Sequence, residues 1–229
     1  MTLDSAVSER QVRSLYHFTT TIGLRYILKH KAILSRSRLQ SLCEAEGDAS
    51  NWFEDILELM DDNRLDHLID FVNTSISLPN TYLLNAYVGR HEAPYLQWCI
   101  LEIEASELLR EGVLFSVSNA ASDSAKRNGI VAGEAGFEAL FAPTVRNKYR
   151  VFERHQKLPH QPTDIQAEAL IPNYVPASKI RGVLFGSESC LNATVASFKQ
   201  LGQEWGDLRF DVNAGAFSTD LSVLQQALY

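Results

Sequence analysis

The 229-residue chain has little of what marks a specialised protein. It carries three cysteines, Cys43, Cys99 and Cys190, odd in number and far apart. They imply no disulfide framework and lack the spacing of a zinc or iron–sulfur site, so they read as buried free thiols in a reducing compartment. Seven prolines and twelve glycines form no linker that would mark a domain boundary, and there is no repeat or low-complexity tract. No apolar run approaches the roughly 20 residues of a membrane span. The segment Met1–Arg10 lacks the basic-then-apolar layout of a secretory signal. Positive charge is in deficit, with 21 Lys and Arg against 28 Asp and Glu, a formal net charge of −7. Such a balance argues against a protein that coats duplex DNA but leaves room for a local nucleic-acid groove. A Gly-x-Ser-x-Gly elbow, a phosphate-binding loop, a His-Glu-x-x-His helix and a Gly-x-Gly-x-x-Gly turn are all absent, and with them the common hydrolase, NTPase, zincin and dinucleotide-fold readings. The expectation is one cytoplasmic domain over residues 1–229, with no membrane contact and no metal.

What is present is ordinary globular composition, 45% hydrophobic and 21% charged, with mixed secondary-structure signals. Ser14–Thr19 reads as a strand, followed by a helix to about His30 capped by Thr20 or Thr21. Ser50 suits the N-cap of a second helix carrying Phe53, Ile56, Leu57 and Met60 on one face. Strands are expected at Phe71–Leu78, Tyr95–Ile103, Val113–Val117, Ile165–Ile171, Ile180–Phe185 and Leu208–Val212. Helical segments are expected at Ala105–Arg110, Phe137–Phe141, Leu191–Leu201 and after Asp220. Strands outnumber the helices available as crossovers, which predicts an α+β fold with mainly antiparallel sheet.

Alternation in three of these strands is informative, because successive residues point to opposite faces. Tyr16 and Phe18 oppose Leu15, His17 and Thr19. Val72, Thr74, Ile76 and Leu78 oppose Asn73, Ser75 and Ser77. Ile165, Ala167, Ala169 and Ile171 oppose Gln166, Glu168 and Leu170. Polar faces of this kind usually meet water. Their order, a His strand, a Ser/Thr strand and a Gln-x-Glu strand, is similar to that of the ADP-ribosyltransferase fold. The wording goes further. Leu15-Tyr16-His17-Phe18-Thr19 with Leu24, Ile27-Leu28 and Ile33-Leu34-Ser35 resembles the opening of the DarT family of DNA ADP-ribosyltransferase toxins. Arg64-Leu65-Asp66, Asp70 to Ser77 with Pro79-Asn80, Asn119-Ala120-Ala121-Ser122 and Pro162-Thr163-Asp164-x-Gln166-Ala167-Glu168 continue the likeness in the family's order, over roughly residues 14–186.

The resemblance implies split, mainly antiparallel sheets around an NAD cleft, and transfer of ADP-ribose from NAD to a base of single-stranded DNA. Glu168 would be the catalytic carboxylate, suited to an oxocarbenium-like ribose in the way glycosidase carboxylates are. His17 would hydrogen-bond the adenosine-side ribose, with backbone at Phe18 and Thr19 facing the nicotinamide amide. Tyr26 and Leu34 would line the NAD pocket, and Ser75 would brace the ribose or Glu168. The family also uses an arginine, for which Arg64 fits best, with Arg36 and Arg38 as alternatives. Guanidinium stays protonated in water, so a grip on the pyrophosphate is its simplest role, with help in base deprotonation as the role implied by the family.

Ahead of the Glu168 strand lie Arg146, Lys148, Arg150, Arg154 and Lys157 against only Glu153, a window of net +4 that leaves −11 on the rest. Tyr149 and Phe152 are interleaved and His155 is nearby. Cationic charge with aromatic platforms suits a single strand, which makes Arg146, Lys148, Tyr149, Arg150 and Arg154 the expected nucleic-acid contacts. Ser77-Leu78-Pro79-Asn80-Thr81-Tyr82-Leu83 looks more like the guanosine-modifying branch than the thymidine-modifying one, which implies guanine. RNA is an alternative acceptor, since nothing separates ribose from deoxyribose strands. An inert nucleotide-binding module is a further alternative, opposed by the retention of Glu168 and His17. The family also implies a cognate macrodomain-type antitoxin. The segment Gln40–Asn63 reads as a lid or docking surface, and the last 40 or so residues resemble nothing in the family.

Overall fold

The computed structural model describes residues 2–46, 68–90, 96–122, 125, 129–146, 150–155 and 157–229. A short helix α1 (Leu3–Glu9) leads into β1 (Ser14–Thr20), α2 (Thr21–His30), β2 (Ala32–Leu34) and α3 (Arg36–Glu46). After β3 (Phe71–Ile76) come α4 (Thr81–Arg90), β4 (Trp98–Glu104) and a 3-10 turn at Ala105–Leu109. The chain continues through β5 (Leu114–Ser116), β6 (Ile130–Ala132), α5 (Gly133–Ala139), and the β7 (Thr144–Arg146) and β8 (Val151–Glu153) hairpin. It ends with β9 (Glu168–Pro172), β10 (Tyr174–Pro176), β11 (Ile180–Phe185), α6 (Glu188–Gln200), β12 (Arg209–Val212) and α7 (Leu221–Leu228).

Eight strands form one sheet in the order β12-β11-β4-β1-β3-β9-β5-β6. Among the described residues only the β11–β12 pair of this sheet is parallel, and the expected α+β, mainly antiparallel class is what the chain adopts. The faces follow the alternation read from the sequence. Leu15, Val72, Ile76, Ala167, Ala169 and Ile171 join Leu101, Ile103, Phe115 and Phe137 in the main core. Tyr16 packs on the other side with Leu84, Ile100 and Leu184.

The sheet is split where the site needs it. β1 pairs with β4 along its whole length, from Ser14↔Glu104 to Thr20↔Trp98. With β3 it pairs only at Leu15↔Ile76 and Tyr16↔Ser75. Beyond Tyr16 the two strands diverge and a cleft opens between them. β3 is instead paired along its other edge with β9, which brings Ser75 opposite Glu168.

Three expectations are corrected. The strand expected from Ile165 starts at Glu168, because Asp164 folds the preceding residues into a turn: its Oδ1 accepts from Gln166 N–H at 2.9 Å and its carbonyl from Ala167 N–H at 3.0 Å. Gln166 is therefore not on the strand. The strand expected to Leu78 stops at Ile76, because Ser77 turns the backbone into the left-handed region at φ +64°. The helix expected at Phe137–Phe141 lies earlier, at Gly133–Ala139. The helix expected after Ser50 falls outside the described residues.

Candidate active site

The cleft between β1 and β3 is lined by β1 from Tyr16 to Thr20, by α2 and β2, by the start of α3, by β3, and by Glu168. Local sequence explains how these pieces meet. Thr20 caps α2 by accepting from Gly23 N–H at 3.0 Å, which turns the chain sharply at the end of β1. A Cβ at Gly23 would lie 2.3 Å from Thr19 Oγ1, so any other residue there must displace the Thr19 side chain. The first helical turn can therefore sit directly against the Thr19 side chain.

Glu168 is the first residue of β9 and is 5% exposed. Its Oε2 accepts from Asn73 Nδ2 at 3.0 Å and from the Ala120 backbone N–H at 2.9 Å. Two donors converging on one oxygen fix the rotation of the carboxylate, and hydrogen bonds to an ionised acceptor are the stronger kind. Ser75, expected to brace the ribose or Glu168, lines the cleft with Glu168 as its strand partner. Its Oγ accepts from Asn80 N–H at 3.2 Å, tying the turn after β3 to the strand, while Asn73 and Ala120 hold the carboxylate.

His17 stands at the divergence of the two strands. Its Nδ1 lies 2.9 Å from the Asn73 carbonyl. A carbonyl only accepts, so Nδ1 carries the proton and Nε2 is the acceptor of the neutral ring. Burial lowers the His17 pKa, against a smaller opposing effect of the Asn73 bond, which favours that neutral form. Asn73 thus touches both expected catalytic-cleft residues, through its carbonyl to His17 and its side-chain amide to Glu168. Sequence reading placed it on the polar face of its strand but gave it no role; a polar residue on the Ser75 face was the available signal.

The remaining expected residues divide. Phe18 and Thr19 line the cleft, as do Tyr26 and Leu34. Tyr26 is 9% exposed, its ring stacked on His30 with Arg25 and Lys29 beside it. Phe18 forms an edge-to-face cluster with Tyr87 and Trp98, at centroid separations of 5.7 and 6.1 Å, which walls one end. Arg64, the first choice for the arginine, lies outside the described residues. Arg36 lines the cleft from the first position of α3, whereas Arg38 is exposed and outside the lining.

The described residues of the basic window are not among those lining the cleft. Arg146, the last residue of β7, and Arg150, just before β8, are exposed, and Lys148 and Tyr149 lie outside the described residues. Arg154 is a structural residue: its guanidinium donates to the carbonyls of Gln161, Leu158 and Pro159 at 2.6, 3.2 and 2.9 Å and lies over the Phe141 ring. Among the described residues there is no group of three His, Cys, Asp or Glu side chains that could hold a metal, and no helix long and apolar enough to cross a membrane.

Comparison with known proteins bears on this arrangement. Residues 16–210 match the family model "ssDNA thymidine ADP-ribosyltransferase, DarT". Among solved structures, Thermus sp. 2.9 DarT in complex with NAD+ is similar, with TM-score 0.55 and 15% identity over 90% of this chain and 97% of that one. The same protein in complex with ADP-ribosylated ssDNA gives TM-score 0.55 and 16% identity, covering 91% and 97%. Thermosipho africanus DarTG in complex with ADP-ribose gives TM-score 0.52 and 14% identity over 90% of this chain and 51% of that one. A search of curated protein sequences returns no match.

Proposed function

The chain belongs to the DarT family of NAD-dependent ADP-ribosyltransferases, and from that premise we propose how its cleft works and on what. NAD is cleaved at the nicotinamide–ribose bond, and the ADP-ribosyl group passes to a base of single-stranded DNA. The bonding pair of the C1′–N bond leaves with the pyridinium nitrogen, giving neutral nicotinamide. A lone pair on a base nitrogen forms the new bond to C1′, and the base N–H proton is released. Between the two, C1′ and the ring oxygen share a positive charge.

One observation carries this reading: a nearly buried Glu168 carboxylate, oriented by Asn73 and Ala120, faces a cleft walled by a neutral His17. A fixed negative charge in a poorly solvated site stabilises a developing cation without reorganising as it forms. His17 Nε2 accepts from a ribose hydroxyl. Arg36 grips the pyrophosphate from the cleft wall, and Arg64 is the second arginine to test. The exposed pair Arg146 and Arg150 guides the strand phosphates. Thymine is the first base to test, since the family description names thymidine. Guanine, favoured by the Ser77–Leu83 wording, is the second. The likeness to a DarTG chain about twice this length supports pairing with an antitoxin, for which a macrodomain that removes the mark is the fitting type.

The test is mass spectrometry of single strands containing only thymine, or only guanine, among the modifiable bases, with matched RNA strands, after incubation with NAD. One ADP-ribosyl mass gain on DNA is expected, lost by at least about 100-fold in Glu168→Gln. Gain on RNA alone, or on no strand, would refute the proposal. Gain on the guanine strand alone would reverse the order of bases.

A further inference from the structure

Asn80 precedes α4, in the turn that follows β3. It is 2% exposed and lines the cleft beside Ser75, whose strand partner is Glu168. Three of its polar groups are committed. Its N–H donates to Ser75 Oγ at 3.2 Å, its carbonyl accepts from Leu84 N–H at 3.0 Å, and its Oδ1 accepts from Leu83 N–H at 3.0 Å. The bond from Leu83 identifies which end of the amide faces the helix, since a backbone N–H needs an acceptor. The other end, Nδ2, is buried with no hydrogen-bond partner. Buried donors almost always find an acceptor, so an orphan amide on a cleft wall calls for an explanation.

We propose that Asn80 is a ligand-reading residue, whose Nδ2 donates to the carbonyl oxygen of a planar ring seated beside the reacting ribose carbon. The site is prepared for such a ring. Leu83 and Tyr87 line the cleft from α4, and Phe18 and Trp98 complete a largely apolar and aromatic wall next to the Asn80 amide. A pocket of this make-up rewards a flat ring and punishes one without an acceptor, because the donor is then left unpaired. Two rings with exocyclic carbonyls meet the ribose carbon in the proposed reaction: nicotinamide, which leaves, and the accepting base. The inference rests on that reading of the cleft and adds the group that selects the ring.

The variant Asn80→Asp separates the ligand role from the structural one. It keeps an oxygen for Leu83 N–H, and a carboxylate suits a helix start. It replaces the donor with an acceptor, so two oxygens would face each other. Asn80→Ala removes both functions and serves as the folding control. Three quantities are measured on wild type and variants: thermal stability, the inhibition constant of nicotinamide, and KM for NAD and for the modified oligonucleotide. Asn80→Asp should stay folded through the assay range, its place at the helix start offsetting part of the cost of the buried charge. Its nicotinamide inhibition constant should rise by about tenfold or more if the leaving group is read, its oligonucleotide KM by as much if the base is read. The loss should shrink as pH falls toward 5, where the new carboxyl regains a proton to donate. Wild-type values for both constants in a stable Asn80→Asp protein would overturn the inference while leaving the transferase reading intact. A wild-type protein with no thermal shift in NAD and no transfer would overturn both.

Discussion

Asp164 offers the sharpest test of how the site is held together. It has no solvent exposure, and its carboxylate accepts from Ser118 Oγ at 2.8 Å and from Gln166 N–H at 2.9 Å. The first bond reaches the loop whose Ala120 N–H holds Glu168. The second forms the turn that aims Glu168 itself. Replacing Asp164 with Ala leaves the buried Ser118 hydroxyl and the part-buried Gln166 N–H without acceptors, each costing about 1–3 kcal/mol. Relief from burying a charge offsets part of that, for a net loss of about 2–4 kcal/mol. In a chain of this size the melting temperature should fall by about 5–12 °C. Asp164→Asn differs: its oxygen keeps Gln166 N–H, and the Ser118 hydroxyl can turn to accept from the new amide. That variant should stay within about 1 kcal/mol of wild type.

Burial raises the Asp164 pKa, against smaller opposing effects of the two hydrogen bonds and Lys157. The folded state therefore holds a proton to higher pH than the unfolded chain does. Between the ordinary carboxyl value and the raised one, stability falls as pH rises. Asp164→Asn should abolish that slope. Urea unfolding of the three proteins from pH 4 to 8 reads both effects. An Asp164→Ala protein as stable as wild type, or an Asn variant as damaged as the Ala one, would refute the bracing argument.

Other outcomes follow from single contacts. His17, with its pKa lowered by burial, adds stability that is present at neutral pH and is lost as pH falls through about 6.5 toward its folded value; wild type should lose more stability than His17→Gln between pH 7 and 5 in urea titrations. Arg154→Ala should lower stability by about 1–3 kcal/mol and leave the salt dependence of DNA binding unchanged, because its guanidinium is bound to backbone carbonyls. Arg146→Ala with Arg150→Ala should weaken oligonucleotide binding and flatten its salt dependence in fluorescence titrations. Gly23→Ala must displace the Thr19 side chain, so KM for NAD should rise with a loss in melting temperature of only a few degrees.

Faces were legible in the sequence because alternation has a strict period of two, and register was not. Val72 and Ala169 declared a core side and the opposite side of their strands supplied Ser75 and Glu168, while His17 follows Leu15 on the same face of β1. Nothing in the pattern tells that β1 follows β4 throughout but leaves β3 after Tyr16, and that divergence makes the cleft. Nor does periodicity show a turn held by side chains. Asp164 converts an expected strand into a turn, and Ser77 ends another by taking a positive φ, its O–H given to the His160 carbonyl at 2.7 Å.

The same divergence explains why Asn73 escaped notice although it stands at the centre of the site. In an unbroken sheet its carbonyl would accept from a backbone N–H of the neighbouring strand, and a histidine opposite would add nothing. Where β1 leaves, that carbonyl is given a side-chain donor instead, and His17 supplies it. A backbone group left over by a gap in the sheet thus fixes the tautomer of one cleft residue, while the side chain of Asn73 orients the Glu168 carboxylate. Asn73→Asp keeps the carbonyl and so the His17 tautomer, but sets a second carboxylate against Glu168. The prediction is therefore selective: NAD affinity changes little while kcat for transfer collapses, and a joint loss of both would mean that the gap, rather than Asn73, positions His17.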